Sequence, residues 1–285
     1  MNKTKNFWDY NICSPNEILA DKDLTKLIKK VFIELLNAYN IDKELSDYFI
    51  SKLFDVKTYQ DVAIFEKNVK ASFNNLINKE MKDFSYRKRA ELICKQIQEF
   101  ILGNKIADYG CGDGLVSYYL SEKWNKDFEY ELFDIKDYRH EKVLLNFDLL
   151  NDKQILKYND VYNTVLLLTV LHHSMNPILV LENAIKLSKK RIIVIESVFD
   201  VPNDSIYSPI KGLSTETQIK YAIFWDWFYN RVIHDDILVP YNFQPSFKWE
   251  ETFNNYRLKI IHKQNLGIDQ KIVPEHHFLF ILDKV

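Results

Sequence analysis

A chain of 285 residues that is 47% hydrophobic and 14% aromatic can bury a sizeable core, which excludes a disordered or fibrous polymer. Its 38 basic and 40 acidic residues are interleaved, and the formal net charge of −2 gives no general electrostatic reason to favour nucleic acid or an anionic membrane. The length exceeds the roughly 100–200 residues of one ordinary domain, so one large domain with additions, or two domains, is expected.

The first residues, MNKTKNFWDYNICSP, are polar where a secretory leader needs an apolar run, and no stretch reaches the roughly 18 apolar residues of a membrane span. A soluble cytoplasmic protein is the expectation. Cys13, Cys94 and Cys111 show no CxxC spacing, so neither a disulfide framework nor a zinc site is suggested and free thiols are expected. From Asp21 to Asn40, Leu24, Leu27, Ile28, Val31, Phe32, Leu35 and Leu36 recur at the spacing of an amphipathic helix. Segments 45–54 and 62–81 continue at helical period. Residues 1–82 therefore read as a helical region that contributes a lid, substrate contacts or dimer contacts. A further helix, SYRKRAELICKQIQEFIL, would start with Ser85 as N-cap and end at Gly103.

After Gly103 short apolar runs alternate with helical ones: KIADYG, YELFDI, KVLLNFD, YNTVLLLTVL, RIIVIES, LKIIHKQNLG and HHFLFILDK. Short buried runs separated by helices predict a mostly parallel sheet covered on both faces. Asn176 and Pro177 form an N-cap and first-turn pair, and the helix they open is expected to end at the basic run SKKR. The section at about 199–252 is too long for an ordinary connection and reads as an insertion.

Three of the six glycines fall within KIADYGCGDGLVSYYL, at Gly110, Gly112 and Gly114. Glycines between a strand and a helix allow positive φ and let a ligand approach the backbone and the free N–H groups of the helix start. A dinucleotide fingerprint, GxGxxG, would place a third glycine where this chain has Leu115, and Asp108 just before the loop would repel a pyrophosphate while welcoming an amino group. A nicotinamide enzyme is disfavoured on both grounds.

With this acid and these alternate glycines, DYGCGDG resembles the first motif of the class I methyltransferases that use S-adenosylmethionine. The resemblance covers roughly Ser85 to Val285. It implies an α/β three-layer sandwich over residues 83–285: a seven-stranded, mostly parallel sheet with an antiparallel last strand and an aromatic-rich insertion after the fifth. It also implies cofactor contacts at Asp108, Gly110, Cys111, Gly112 and Gly114; Asp134 with Ile135 at the ribose; Asp148 with Leu149 at the adenine; Thr169, Val170 and Leu171 beside the cofactor. Arg87, with Arg89 and Tyr86 as alternatives, would reach the methionine carboxylate; an exposed helix face is the other reading for all three.

The fourth strand ends in LHH followed by SMNP, similar to small-molecule members of the family. His173 and His234 are the first candidates for a general base, with His276 and His277 behind them; for His172 and His173, shaping the loop or bonding to backbone is the other reading and the one favoured, because geometry rather than identity qualifies a base. Metal binding by the adjacent pair is not expected, because neighbouring residues on a strand end point apart. In FWDWFYNRVIHDD, Trp225, Phe228, Tyr229 and Arg231, with His172, are candidates for the substrate side; the aromatic cluster could also close a lid. The motif of amino-group methylation of nucleic-acid bases or glutamine, N/D-P-P-Y/F, is absent. The expected activity is methyl transfer to O or N of a small metabolite or natural-product intermediate, releasing S-adenosylhomocysteine. A non-catalytic relative, an enzyme acting on protein or RNA, and a homodimer stay open.

Overall fold

The computed structural model describes residues 14–76, 79–123, 127–150, 158–202, 208–233, 239–270 and 273–285. Among these, seven strands form one sheet: β1 (Lys105–Tyr109), β2 (Glu129–Asp134), β3 (Asn146–Leu149), β4 (Tyr162–Leu168), β5 (Ser188–Ser197), β6 (Leu258–Gln270) and β7 (Val273–Lys284). Their order is β3-β2-β1-β4-β5-β7-β6. The first five pair in parallel, and β7 runs antiparallel between β5 and β6, as expected from the sequence.

Alternation along the central strands makes the sheet two-sided. Val165 and Leu167 of β4 join Ile192 and Val194 of β5 in the core on one face, while Leu166 and Ile193 enter the core on the other, all at 0% exposure. Each such side chain contributes about 1.5–3 kcal/mol by leaving water. One face is covered by α5 (Lys79–Ile97) and α6 (Leu115–Lys123), through Ile93, Cys94, Ile97 and Leu120. The other is covered by α7 (Pro177–Leu187) and α9 (Ser246–Asn255), through Leu181, Ala184, Leu187, Trp249 and Phe253. Asn176 caps α7 by accepting the Leu179 amide at 3.1 Å.

Three boundaries differ from the sequence reading. Ser85 is not an N-cap: α5 begins at Lys79, and the Ser85 hydroxyl sits buried inside it, 3.4 Å from the Tyr39 hydroxyl. That helix ends at Ile97 and is followed by a 3-10 turn, Gln98–Phe100, before the glycine at Gly103. The basic run SKKR opens β5 rather than closing α7, because Ser188 and Arg191 pair with Tyr162 and Thr164 of β4. Backbone ladder bonds outweigh the fraction of a kcal/mol that helix-end charges offer.

The first helices are α1 (Pro15–Ala20), α2 (Lys22–Ala38), α3 (Lys43–Phe54) and α4 (Tyr59–Leu76). α2 is capped by Asp21, whose carboxylate accepts the Asp23 and Leu24 amides, and it buries the expected stripe from Leu24 to Leu36. The insertion supplies α8 (Thr215–Trp227), which continues into one π-helical stretch, Phe228–Ile233. Although far apart in sequence, these two regions share a single core. Phe32 stacks on Trp225 at 6.4 Å and meets the edge of Phe228 at 5.0 Å, and Phe65 lies 5.8 Å from Trp227. No described helix is long and apolar enough to cross a membrane.

Candidate active site

The glycine loop joins β1 to α6 at the carboxyl edge of the sheet. Gly110, Gly112 and Gly114 all adopt positive φ, at 77°, 53° and 70°, a conformation costly for side-chain-bearing residues. Their surroundings differ. A Cβ on Gly110 would come within 2.6 Å of Val170 Cγ1, and one on Gly114 within 3.0 Å of Val143 Cγ1, so packing pins both ends. Nothing lies within 4 Å of a Cβ placed on Gly112, which leaves its backbone facing open space. Cys111, between them, is half-buried with its Sγ 3.8 Å from the Gly112 carbonyl, and burial pushes its thiol far above the ordinary range. Cys94 is buried and its thiol is pushed up to about 12; Cys13 lies outside the described residues.

Carboxylates surround this loop. Asp134, ending β2, accepts the Gly112 amide at 2.8 Å and the Ile135 amide at 2.7 Å; burial raises its pKa and these bonds lower it in part. Ile135 and Leu149 are exposed. Asp148 on β3 accepts the Tyr158 hydroxyl at 2.8 Å, which with burial pushes that phenol up to about 12. Asp108 is 2% exposed and accepts the Ser117 hydroxyl of α6 at 2.7 Å, and burial pushes its carboxyl up to about 7.

Immediately after β4, Thr169 has φ 60°, an outlier for a β-branched residue, at a cost of order 1–3 kcal/mol. Its hydroxyl donates to the Leu168 carbonyl and accepts from Arg89 Nη2 at 3.3 Å. Arg89 thus reaches the loop region, whereas Arg87 is exposed over the Phe84 ring at 5.3 Å.

The two histidines depart from the strand geometry expected of them. β4 stops at Leu168, and a 3-10 turn, Leu171–His173, sets the rings side by side with centroids 4.1 Å apart, so they do not point to opposite sides. His172 is 1% exposed and stacks on Phe243 at 5.0 Å; its Nδ1 lies 2.6 Å from Glu196 Oε2. Glu196, fully buried near the end of β5, also accepts the Val170 and Leu171 amides on Oε1 at 2.9 and 2.7 Å. Burial pushes Glu196 up to about 7 and His172 down to about 3, so the ring stays neutral. His172 Nε2 is buried with no hydrogen-bond partner.

His173 Nδ1 lies 3.7 Å from Asp226 Oδ1 of α8. Asp226 is fully buried, takes the Asn230 amide at 2.7 Å on Oδ1, and has a buried Oδ2 without a partner. Burial, with Glu275 adding to it, raises its carboxyl well above the ordinary range. Behind them, the Ser197 hydroxyl lies 2.9 Å from His277 Nε2 and donates to Glu275 at 3.3 Å. His276 is also buried beside this group.

His172 and His173 are therefore brought together with two acids, while His234 lies outside the described residues. Trp225, Phe228 and Tyr229 sit in the helical core, and Arg231 pairs with Glu66 at 3.3 Å. Glu196 went unnoticed in the sequence. Its signal was available: an acid closing RIIVIES stands at the carboxyl end of a parallel strand, where ligand-facing groups of such sheets gather.

No curated protein matches the chain. A family model described as a methyltransferase domain matches residues 85–262, more than half of the chain. Among solved structures, a SAM-dependent methyltransferase from Aquifex aeolicus is similar at 16% identity and a TM-score of 0.44, covering 67% of this chain and 88% of that one. One from Methanosarcina mazei is similar at 12% identity and 0.48, covering 66% and 97%. The putative sarcosine dimethylglycine methyltransferase of Galdieria sulphuraria is similar at 10% identity and 0.48, covering 72% and 88%. By the reach of the family match, which runs from α5 into β6 across the glycine loop, both histidines and Glu196, the chain belongs to the methyltransferase-domain family.

Proposed function

We propose that the protein transfers the methyl group of S-adenosylmethionine to an O or N atom of a small metabolite or natural-product intermediate. The observation that carries this reading is the backbone at Gly112, open above while Gly110 and Gly114 are pinned beside it, with Asp134 bonded to its amide. A side chain at Gly112 would fill the space that the amino-acid end of the donor requires, so the residues present fit this group. Asp134 and Ile135 would hold the ribose, Asp148 and Leu149 the adenine, and Asp108 beneath the loop favours a cationic amino group.

When bound, S-adenosylmethionine supplies an electrophilic methyl on a sulfonium. The protein's part is to align the acceptor, exclude water and take a proton where the acceptor carries one. Thr169, held by Arg89 and Leu168, stands between the loop and the histidines. His173 is the candidate base: its ring is 24% exposed, and its Nδ1 lies 3.7 Å from Asp226 Oδ1. A small acceptor is supported by the buried helical core that carries Asp226 and by the balanced charge.

Calorimetric titration with S-adenosylhomocysteine and with NAD tests the donor. The expected result is saturable binding of the first alone, lost in Gly112→Val. Binding of NAD instead, or unchanged affinity in that variant, contradicts the reading.

A further inference from the structure

We propose that His172, His173 and Asp226 form a binding site for a divalent first-row transition-metal ion. Among the described residues, one ligand atom from each of the three lies within 4.8 Å of the others. A tetrahedral ion with bonds of about 2.0–2.1 Å needs its ligands roughly 3.3 Å apart, so small side-chain adjustments close the set.

Two of the three residues carry a buried atom that nothing satisfies, Nε2 of His172 and Oδ2 of Asp226. An unpaired polar atom in the interior costs about 1–3 kcal/mol, and one ion placed between them would relieve both. The other nitrogen of His172 is already engaged. With Val170 and Leu171 amides on Oε1, Glu196 Oε2 lies 2.6 Å from His172 Nδ1, and when the carboxylate accepts Nδ1–H the Nε2 lone pair is left to bind a cation. A carboxylate behind a ligating imidazole is how metal-binding histidines are held and made more basic.

Asn230 fixes the Asp226 carboxylate in the same way, and Phe243 holds the His172 ring from its face. The ligands come from the turn after β4 and from α8, both anchored in packed cores. Two imidazoles and one carboxylate suit zinc, iron(II), cobalt or nickel, and supply too few oxygens for magnesium or calcium. Three protein ligands leave at least one position open. His173 is the one partly exposed member, so exchange and a further ligand enter from its side. With the ion bound His173 is a ligand and not a base, and a heteroatom of the methyl acceptor in the open position would be polarised by the ion instead. This consequence rests on the methyl-transfer reading, whereas the ion site stands without it.

The test uses the full-length chain, stripped of metal by chelation and titrated with cobalt(II) at pH 8. Visible d–d absorption and metal content per chain are read. The expected result is one cobalt per chain with bands of a four- or five-coordinate site. Affinity should fall at least about a hundred-fold in His173→Ala and in Asp226→Asn, since losing even an outer-shell partner costs 10–100-fold. His262→Gln, at a histidine stacked on Phe100 away from the cluster, should bind as the parent does. Retained S-adenosylhomocysteine binding in each variant reports an intact fold, and His173→Ala suffices if Asp226→Asn fails to fold. Absence of stoichiometric cobalt, or bands unchanged in His173→Ala, overturns the site. Failure of S-adenosylhomocysteine to bind the parent while cobalt binds would overturn the methyl-transfer reading instead.

Discussion

The two ends of the candidate site are built from different materials. At the glycine loop the chemistry belongs to the backbone, and open space is obtained by leaving side chains out: Gly112 meets nothing within 4 Å. At the histidine turn the chemistry belongs to side chains packed at 0–1% exposure, His172, Glu196 and Asp226. The loop can therefore be filled with little effect on the fold, while the histidine end is part of the core. Binding and stability separate at the first end and are tied together at the second.

Removing Glu196 should break this contrast most strongly. Glu196→Ala leaves two amides and the His172 ring without an acceptor in a buried site, and a loss of about 3–5 kcal/mol is expected in denaturant unfolding. An unchanged midpoint would show that the histidine end is not structural. Gly112→Val should do the reverse: at least about a hundred-fold weaker S-adenosylhomocysteine binding, equal to about 2.7 kcal/mol, with only about 1–2 kcal/mol of unfolding stability lost to its left-handed φ.

Asp108→Asn sharpens the comparison through pH. The folded chain holds the Asp108 proton up to about pH 7, against an ordinary value of 3.8, so the folded state binds more protons across that window. Parent stability therefore falls as pH rises from about 4 to 7. The variant escapes this fall. It should be more stable by about 4 kcal/mol at pH 8 and no more stable at pH 4, judged by melting at both. Weaker S-adenosylhomocysteine binding in the same protein would separate the two roles of the acid. Arg231→Gln should matter least. Its pair with Glu66 is partly exposed, and less than about 1 kcal/mol should be lost, diminishing further in high salt.

The backbone end was legible in the sequence because its constraints are local. Positive φ selects Gly110, Gly112 and Gly114 one residue at a time, and Leu115 in place of a third fingerprint glycine distinguishes the loop from a dinucleotide turn. The stripe of α2 and the succession of strands were equally local. Ser85 and the run SKKR misled for a related reason: a capping residue and a basic helix end are weak preferences, overridden here by helix continuation and by pairing with β4. The histidine end was hidden because His172, Glu196, Asp226 and Glu275 come from the β4 turn, β5, α8 and β7, and only tertiary packing makes them neighbours. Even the relation of His172 to His173 required the turn that follows Leu168.

The core shared by the first helices and the insertion carries a consequence for how such a protein can diversify. Trp225 and Phe228 pack on Phe32, and Trp227 packs on Phe65 and donates to Glu66 at 2.7 Å. One residue away from this aromatic surface, Asp226 turns toward the histidines. A chimera that replaced the insertion alone would strip the facing helices of their partner, and one that replaced those helices alone would loosen the carboxylate. These two stretches form one packed unit, so a chimera keeps this core only if it carries both.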